Sequence, residues 1–284
     1  MKINSKELKS FLDANKRPTR LVGHLERHII SRPADTSRRT DILHPSEIIK
    51  KDWCARYGYY VITGACAPKK DRPGLRLQSI FDEGHTIHAK WQNWIAEMGN
   101  LYGVWESPKG LREWGVSKEH LNWNYREVPL EYAPLHIAGH SDGWITGLGE
   151  DFLIEIKSIG SGTIRMEQPS LLNGGLESAW RNIRNPFWSH LRQGTVYLYL
   201  THLMAEAGLL SRPAPGSIVF IYELKMDQAY KEFSVDYNPD LISDVIENLE
   251  LIAEAMKTGI APPCTQSEKG CKLCALAEKA GTDE

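Results

Sequence analysis

Apolar residues recur along this chain with two different periods, and each change of period marks a change of element. Between Leu75 and Met98 the positions Ile80, Gly84, Ile87, Trp91, Trp94 and Met98 fall three or four residues apart, which is the spacing of one helical face. Glu127–Tyr132, Leu135–Thr146 and Asp151–Ile159 instead have the length and residue types of strands. Ala133-Pro134 and Gly147-Leu148-Gly149-Glu150 supply the turns between them, so the three strands predict an antiparallel meander. Ser217–Lys225 and Tyr230–Val235 predict a second strand pair. Further helices are expected from Pro186 to Gly208 and from Leu241 to Thr258, the first preceded by a loop rich in Gly, Asn and Ser. Towards the N-terminus, residues 1–30 look helical, anchored by Leu8, Phe11, Leu21, Leu25, Ile29 and Ile30. Pro33–Asp41 is a polar connection, Pro45 opens a short helix running towards Trp53 and Cys54, and Pro68–Gly74 is a break. The pattern implies a mixed α/β fold, with a central mixed sheet flanked by helices. Its expected divisions are a helical N-terminal segment (1–74) carrying Cys54, a core (75–260) and a Cys-rich tail (261–284).

Composition narrows the class. A chain of 284 residues can bury one substantial core, and no apolar run is long enough to cross a bilayer. The opening MKINSKELKSF lacks the apolar stretch of a signal peptide, so a cytoplasmic location is expected, where thiols stay reduced. Five cysteines then suggest a metal or cluster site rather than a disulfide framework. The net charge of −2 hides an asymmetry, because residues 1–40 carry ten Lys or Arg against four Asp or Glu. Such a basic arm suits contact with a phosphate backbone, and it equally suits a solvated terminus.

The chemistry concentrates in Phe152-Leu-Ile-Glu155-Ile156-Lys157-Ser158. Alternation along a strand puts Glu155 and Lys157 on one face, with Phe152, Ile154 and Ile156 on the other. A carboxylate and an ammonium on an otherwise apolar strand need partners, and a divalent cation is one for Glu155. In the preceding strand the same alternation groups His140, Asp142 and Trp144. A suitable hairpin register lets Asp142 and Glu155 converge, and two carboxylates with a backbone carbonyl make a hard-oxygen site for Mg²⁺ or Mn²⁺. Taken singly, Asp-Gly is also a turn and Glu-x-Lys a salt-bridged surface pair.

Together these residues resemble the PD-(D/E)XK superfamily, in particular its RecB-like exonucleases, which include the CRISPR adaptation nucleases and their phage relatives. Gly84-His-Thr-Ile-His88 is similar to the family's helical G-x-x-x-H motif, Asp142 to its aspartate, Glu155-Ile-Lys157 to E-x-K, and Gln193-Gly-Thr-Val-Tyr197 to Q-x-x-x-Y. The resemblance implies a restriction-endonuclease-like core. It makes His88, Asp142, Glu155 and the Ile156 carbonyl metal ligands, with His85 a possible helper. Asp142, Glu155 and Lys157 would then be catalytic, and Gln193 and Tyr197 would help place DNA and orient the lysine. The implied activity is metal-dependent cleavage of single-stranded DNA or DNA ends, leaving 5′-phosphate and 3′-hydroxyl products.

Cys54 precedes the core, and Cys264, Cys271 and Cys274 follow it. This placement is similar to the iron–sulfur arrangement of the RecB-like subgroup, and implies a structural [4Fe–4S] cluster clipping the two ends together. The order of the gaps, six residues and then two, is the reverse of that subgroup's, and a tetrahedral Cys₄ zinc site is the alternative. Cys66 is expected to be a small buried hydrophobe. Arg181, Arg184 and Arg192, close to Gln193, are candidates for DNA-backbone contact or ordinary surface charge. Nine tryptophans and eleven tyrosines offer stacking surfaces in addition to core packing. The chain has no G-x-x-x-x-G-K-[ST] loop, so a helicase or recombination partner would be a separate protein. A non-catalytic or partner-activated DNA-binding module on the same fold is the competing functional class.

Overall fold

The computed structural model describes residues 21–33, 39–65, 73–267 and 271–275. Leu8, Phe11 and Cys66, together with most of the basic arm, lie outside the described residues. The elements in chain order are α1 (Val22–Ser31), α2 (Pro45–Ile48), α3 (Ala55–Ile62), α4 (Leu75–Glu97), β1 (Leu101–Glu106), β2 (Arg112–Val116), β3 (Asn124–Tyr125) and β4 (Val128–Tyr132). They continue with β5 (Ile137–Ser141), β6 (Gly143–Ile145), β7 (Phe152–Ile159), α5 (Ser161–Glu167), α6 (Gly175–Asn182), α7 (Trp188–Glu206), β8 (Ser217–Leu224), β9 (Tyr230–Asp236) and α8 (Ser243–Thr258). None of the described helices is long and apolar enough to cross a membrane. The chain divides into two units, Met1–Ser37 with Lys70–Glu83, and Arg38–Lys69 with Gly84–Glu284. In the first, the Glu26 carboxylate accepts the Leu75 N–H at 3.1 Å and so satisfies one of the open donors at the start of α4. The second holds the sheet.

The main sheet runs in the order β2-β1-β6-β7-β8-β9, with β3 also on β1. Within this sheet β7 and β8 pair in parallel, and α5, α6 and α7 fill the crossover that parallel pairing requires. Both faces of β7 are covered. Leu153 and Ile159 pack with Val196 and Leu200 of α7 and Leu249 of α8, while Ile154 and Ile156 pack with Ile87 and Trp91 of α4. Gly194 allows α7 to lie against the sheet, since a Cβ there would come within 2.5 Å of the Phe220 ring on β8. Along the predicted face of α4, Ile87 is buried, but Trp94 and Met98 are exposed; Ile95 packs inward instead.

Four expectations change. The meander does not form, because Leu135–Thr146 is two strands rather than one. Its first part, β5, pairs with β4 in a separate two-stranded sheet, and its second part, β6, sits between β1 and β7 in the main sheet. β1–β3 come from a stretch with no strand expectation, and the Gly/Asn/Ser-rich loop contains α5 and α6. Side chains make the strand break tolerable. Ser141 Oγ donates to the carbonyls of Ile154 (3.0 Å) and Gly143 (3.2 Å), and Asp142 Oδ2 accepts the Ile156 N–H at 2.6 Å. Gly143 is required next, because a Cβ would stand 2.7 Å from Leu101 Cδ1 and 2.9 Å from Ile154 Cγ1. The short helix expected from Pro45 forms but is one turn, α2, and a new helix begins beyond Cys54, at Ala55.

Candidate active site

Asp142 occupies the point where the chain leaves the small sheet and enters the large one. β4 and β5 pair with Val128 opposite Ser141, and β6 and β7 with Gly143 opposite Ile154. Extending each register by one residue sets Glu127 across from Asp142 on one side and Glu155 across from it on the other. Asp142 is buried; while Oδ2 holds the Ile156 N–H, Oδ1 lies 3.0 Å from His88 Nδ1. A carboxylate only accepts, so Nδ1 donates. Gln92, one turn further along α4, donates to the Asp142 main-chain oxygen at 2.9 Å. Burial would lower the His88 pKa, but the bond and charge of Asp142 outweigh it and the pKa is raised.

Glu155 and Lys157 point the same way from β7, as alternation requires, and bond each other. Lys157 Nζ donates to Glu155 Oε1 at 2.7 Å and to Gln193 Oε1 at 3.0 Å, and Gln193 Nε2 donates to the Tyr197 hydroxyl at 2.9 Å. Gln193 and Tyr197 are one turn apart on α7, on the helix held close by Gly194. An ammonium has three donors, so these two bonds leave Lys157 one N–H for a further acceptor. Glu155 is only 3% exposed, and its Oε2 has no hydrogen-bond partner among the described residues. Burial pushes its pKa up to about 7, with the Asp142 charge adding and Lys157 opposing.

His88, Glu127 and Asp142 each bring a potential ligand atom within 4.8 Å of the others. Glu127 was not among the residues singled out from the sequence, and a glutamate at the start of a strand carries no signal of its own. Burial, and then Asp142, raise its pKa to about 7. Beside it an open cleft of about 440 Å³ is lined by Gln92, Arg112, Tyr125, Arg126, Glu127 and His140, among others. His85 is exposed.

The four cysteines expected to act together do meet. The sulfurs of Cys54, Cys264, Cys271 and Cys274 all lie within 4.8 Å of one another, with Cys54 3.3 Å from Cys274 and 3.5 Å from Cys271, and none is in a disulfide. The tail is also tied by Gln266 Nε2 to the Trp53 carbonyl (2.8 Å), Arg56 Nε to the Pro262 carbonyl (2.9 Å) and Thr265 Oγ1 to Asn248 Oδ1 (2.8 Å). Burial raises the Cys54 pKa. At Cys264 burial also pushes upward, but backbone N–H bonds at Gln266 and Ser267 prevail and bring it to about 7.

Of the three arginines, Arg181 and Arg184 are exposed, Arg181 lying 3.7 Å from Glu177. Arg192 is turned to α8, where its Nη2 donates to both oxygens of Asp244 at 2.7 Å.

No family model matches this chain, and a comparison with curated proteins returned no match. Among solved structures it is similar to the crystal structure of SSO0001, with 13% identity and a TM-score of 0.35 over 90% of this chain and 88% of that one. It is also similar to LHK-Exo in complex with dAMP, at 13% identity and a TM-score of 0.41 over 86% of this chain and 96% of that one. A further likeness is to the alkaline exonuclease LHK-Exo from Laribacter hongkongensis, at 11% identity and a TM-score of 0.40 over 87% and 96%. These likenesses are distant.

Proposed function

We propose that this chain is a metal-dependent deoxyribonuclease of the PD-(D/E)XK type, RecB-like, acting on single-stranded DNA or DNA ends. The observation that carries this reading is the buried, unpartnered Glu155 Oε2 across the β6–β7 hairpin from Asp142, with Lys157 bound to the other oxygen of the same carboxylate. A carboxylate oxygen left bare in a buried site costs free energy unless a cation meets it. The donor set fits Mg²⁺ or Mn²⁺: carboxylates of Asp142 and Glu155, the Ile156 carbonyl and the His88 imidazole would hold it. Such an ion supplies positive charge to a scissile phosphate and acidifies water in the site. Lys157 is held at two of its three donors, so its remaining N–H is aimed rather than mobile, and it stabilises charge developing on a phosphate oxygen. Gln193 fixes that aim, and Tyr197 fixes Gln193. Arg181 and Arg184 supply backbone contacts, and any helicase or recombination partner acts as a separate chain.

The four cysteines form a second, structural centre. Four thiolates make up the ligand set of a [4Fe–4S] cluster and equally that of a zinc site. The separations of 3.3–3.5 Å among the Cys54, Cys271 and Cys274 sulfurs, with Cys264 within 4.8 Å, favour one small ion, because a tetrahedron with Zn–S of about 2.3 Å has edges of about 3.8 Å. A cluster, with its own sulfide cage, holds its thiolates further apart. Metal analysis with a visible spectrum of anaerobically purified protein separates the two, since a brown protein contains iron and a colourless one with bound zinc does not.

The nuclease reading is tested with end-labelled single- and double-stranded DNA in Mg²⁺, Mn²⁺ or EDTA, using wild type, Asp142→Ala, Glu155→Ala and Lys157→Ala. Cleavage that needs the cation and falls by about 10²-fold or more in each folded variant is expected. Cleavage that survives all three changes rejects it. A folded wild type that binds DNA without cutting under any of these conditions would favour the competing class, a non-catalytic or partner-activated module.

A further inference from the structure

The split strand brings Asp142 a second acidic neighbour that neither the E-x-K pattern nor the helical histidine points to. Glu127 precedes β4, and the β4–β5 register sets it across from Asp142 on the side away from Glu155. Its carboxylate, the Asp142 carboxylate and the His88 ring have ligand atoms mutually within 4.8 Å. Two carboxylates at that distance repel, and among the described residues no Lys or Arg forms an ion pair with either within 4.0 Å; Asp142 meets His88 at 3.0 Å. On the opposite side stands Glu155, 3% exposed with Oε2 bare.

The backbone at Glu127 is also unusual. Its φ is +37°, in the left-handed region that costs a non-glycine residue free energy, and such costs concentrate at functional sites. Val104 secures the conformation from β1. Its N–H reaches the Glu127 carbonyl at 3.3 Å, and its own carbonyl accepts the Arg126 N–H at 2.8 Å. Gly103 clears room for it, since a Cβ there would lie 3.2 Å from the Glu127 carbonyl oxygen. A strained residue, gripped by the neighbouring strand and holding a carboxylate against another carboxylate, is arranged for a cation.

We propose that Glu127 is a ligand of the divalent cation at this centre, completing with His88 and Asp142 a three-residue face that Glu155 meets from the other side. The proposal rests on the metal-dependent reading of the site. It assigns a role to the small sheet, which carries Glu127 to the cation as the main sheet carries Glu155. It also places the cation at the wall of the cleft that Glu127, Gln92, Arg112 and Arg126 line, so that a phosphate group entering there arrives between arginines and metal.

The test is Mn²⁺ binding to the full chain, followed by calorimetry and by the electron paramagnetic resonance signal of free Mn²⁺, with no DNA present. Wild type is compared with Glu127→Gln, Glu127→Gly and Asp142→Asn, with circular dichroism as the check on folding. Glu127→Gly relieves the positive φ, so it keeps the test open should Glu127→Gln fold poorly. Both Glu127 variants are expected to bind Mn²⁺ at least about tenfold more weakly than wild type, as Asp142→Asn does. Wild-type affinity in the folded Glu127 variants beside weakened Asp142→Asn overturns the role of Glu127 and leaves the metal-centre reading standing. Wild-type affinity in all three overturns both.

Discussion

Glu155 is a carboxyl with 3% exposure, one oxygen bonded to Lys157 and one bare, and its pKa is pushed from 4.5 to about 7. In the metal-free protein this has a definite sign. Between those two values the folded chain keeps the proton and the unfolded chain has released it, so the stabilisation is full below the unfolded pKa and is lost as pH rises through the folded one. At ~1.36 kcal/mol per tenfold change in proton activity, the loss across this window is about 3 kcal/mol. For a chain of this size that is roughly 6 °C in unfolding temperature. The assay is thermal unfolding in EDTA from about pH 5 to about pH 8.5, followed by circular dichroism, with wild type beside Glu155→Gln. The variant cannot ionise at this position, so its curve should be flatter and it should exceed wild type above neutrality. Mn²⁺ should restore much of the wild-type loss at alkaline pH and do less for the variant, because the ion binds the deprotonated carboxylate. Parallel curves for the two proteins across the whole range would mean that folding leaves the Glu155 proton equilibrium unchanged, and would refute the raised pKa.

Three further outcomes follow from packing and pairing. Gly194→Ala should cost about 1–3 kcal/mol in chemical denaturation, despite a gain in helix propensity of about 1 kcal/mol, because the new methyl meets the Phe220 ring. Arg192→Ala should lower stability by about 1 kcal/mol and leave DNA affinity unchanged, since its guanidinium is held by Asp244; filter binding with Arg181→Ala and Arg184→Ala as comparators checks the contrast. Cys54→Ser should release the bound metal or cluster, seen by elemental analysis. It should also remove about 2–5 kcal/mol of stability, as the loss of a long-range cross-link does.

Sequence reading succeeded where one local pattern carried the information. Local patterns place α4, α7, β7, β8 and β9, although on the expected face of α4 only Ile87 is buried. The pairing of Glu155 with Lys157 follows from strand alternation, and the meeting of Cys54 with the tail is what the resemblance to the RecB-like iron–sulfur arrangement implies. What stayed hidden depends on contacts between distant segments. β1 lies centrally in the sheet, yet its Leu-Tyr-Gly-Val-Trp-Glu run mixes aromatic, small and charged positions, and only its neighbours β2 and β6 make it a strand. The break at Asp142 carries only the Asp-Gly pair as a local signal, because two side-chain oxygens replace ladder bonds that a continuous strand would make. Glu127 has no motif, and its place opposite Asp142 exists only once β4 pairs with β5. Arg192 looks like its exposed neighbours until α8 packs across it.

The division of one strand between two sheets has a consequence for how the molecule matures. Neither pairing alone produces the site: β4–β5 without β6–β7 leaves Asp142 facing Glu127, and the reverse leaves it facing Glu155. His88 arrives only when α4 docks, and Lys157 is aimed only when α7 does. A partly folded chain, however compact and helical, therefore holds an incomplete set of charges and has little hold on a cation. Cation binding becomes a readout of cooperative completion, and it stabilises the finished state over every partial one. In a growing or refolding chain, the proposed cleavage of DNA would thus switch on only after the last long-range contacts had closed.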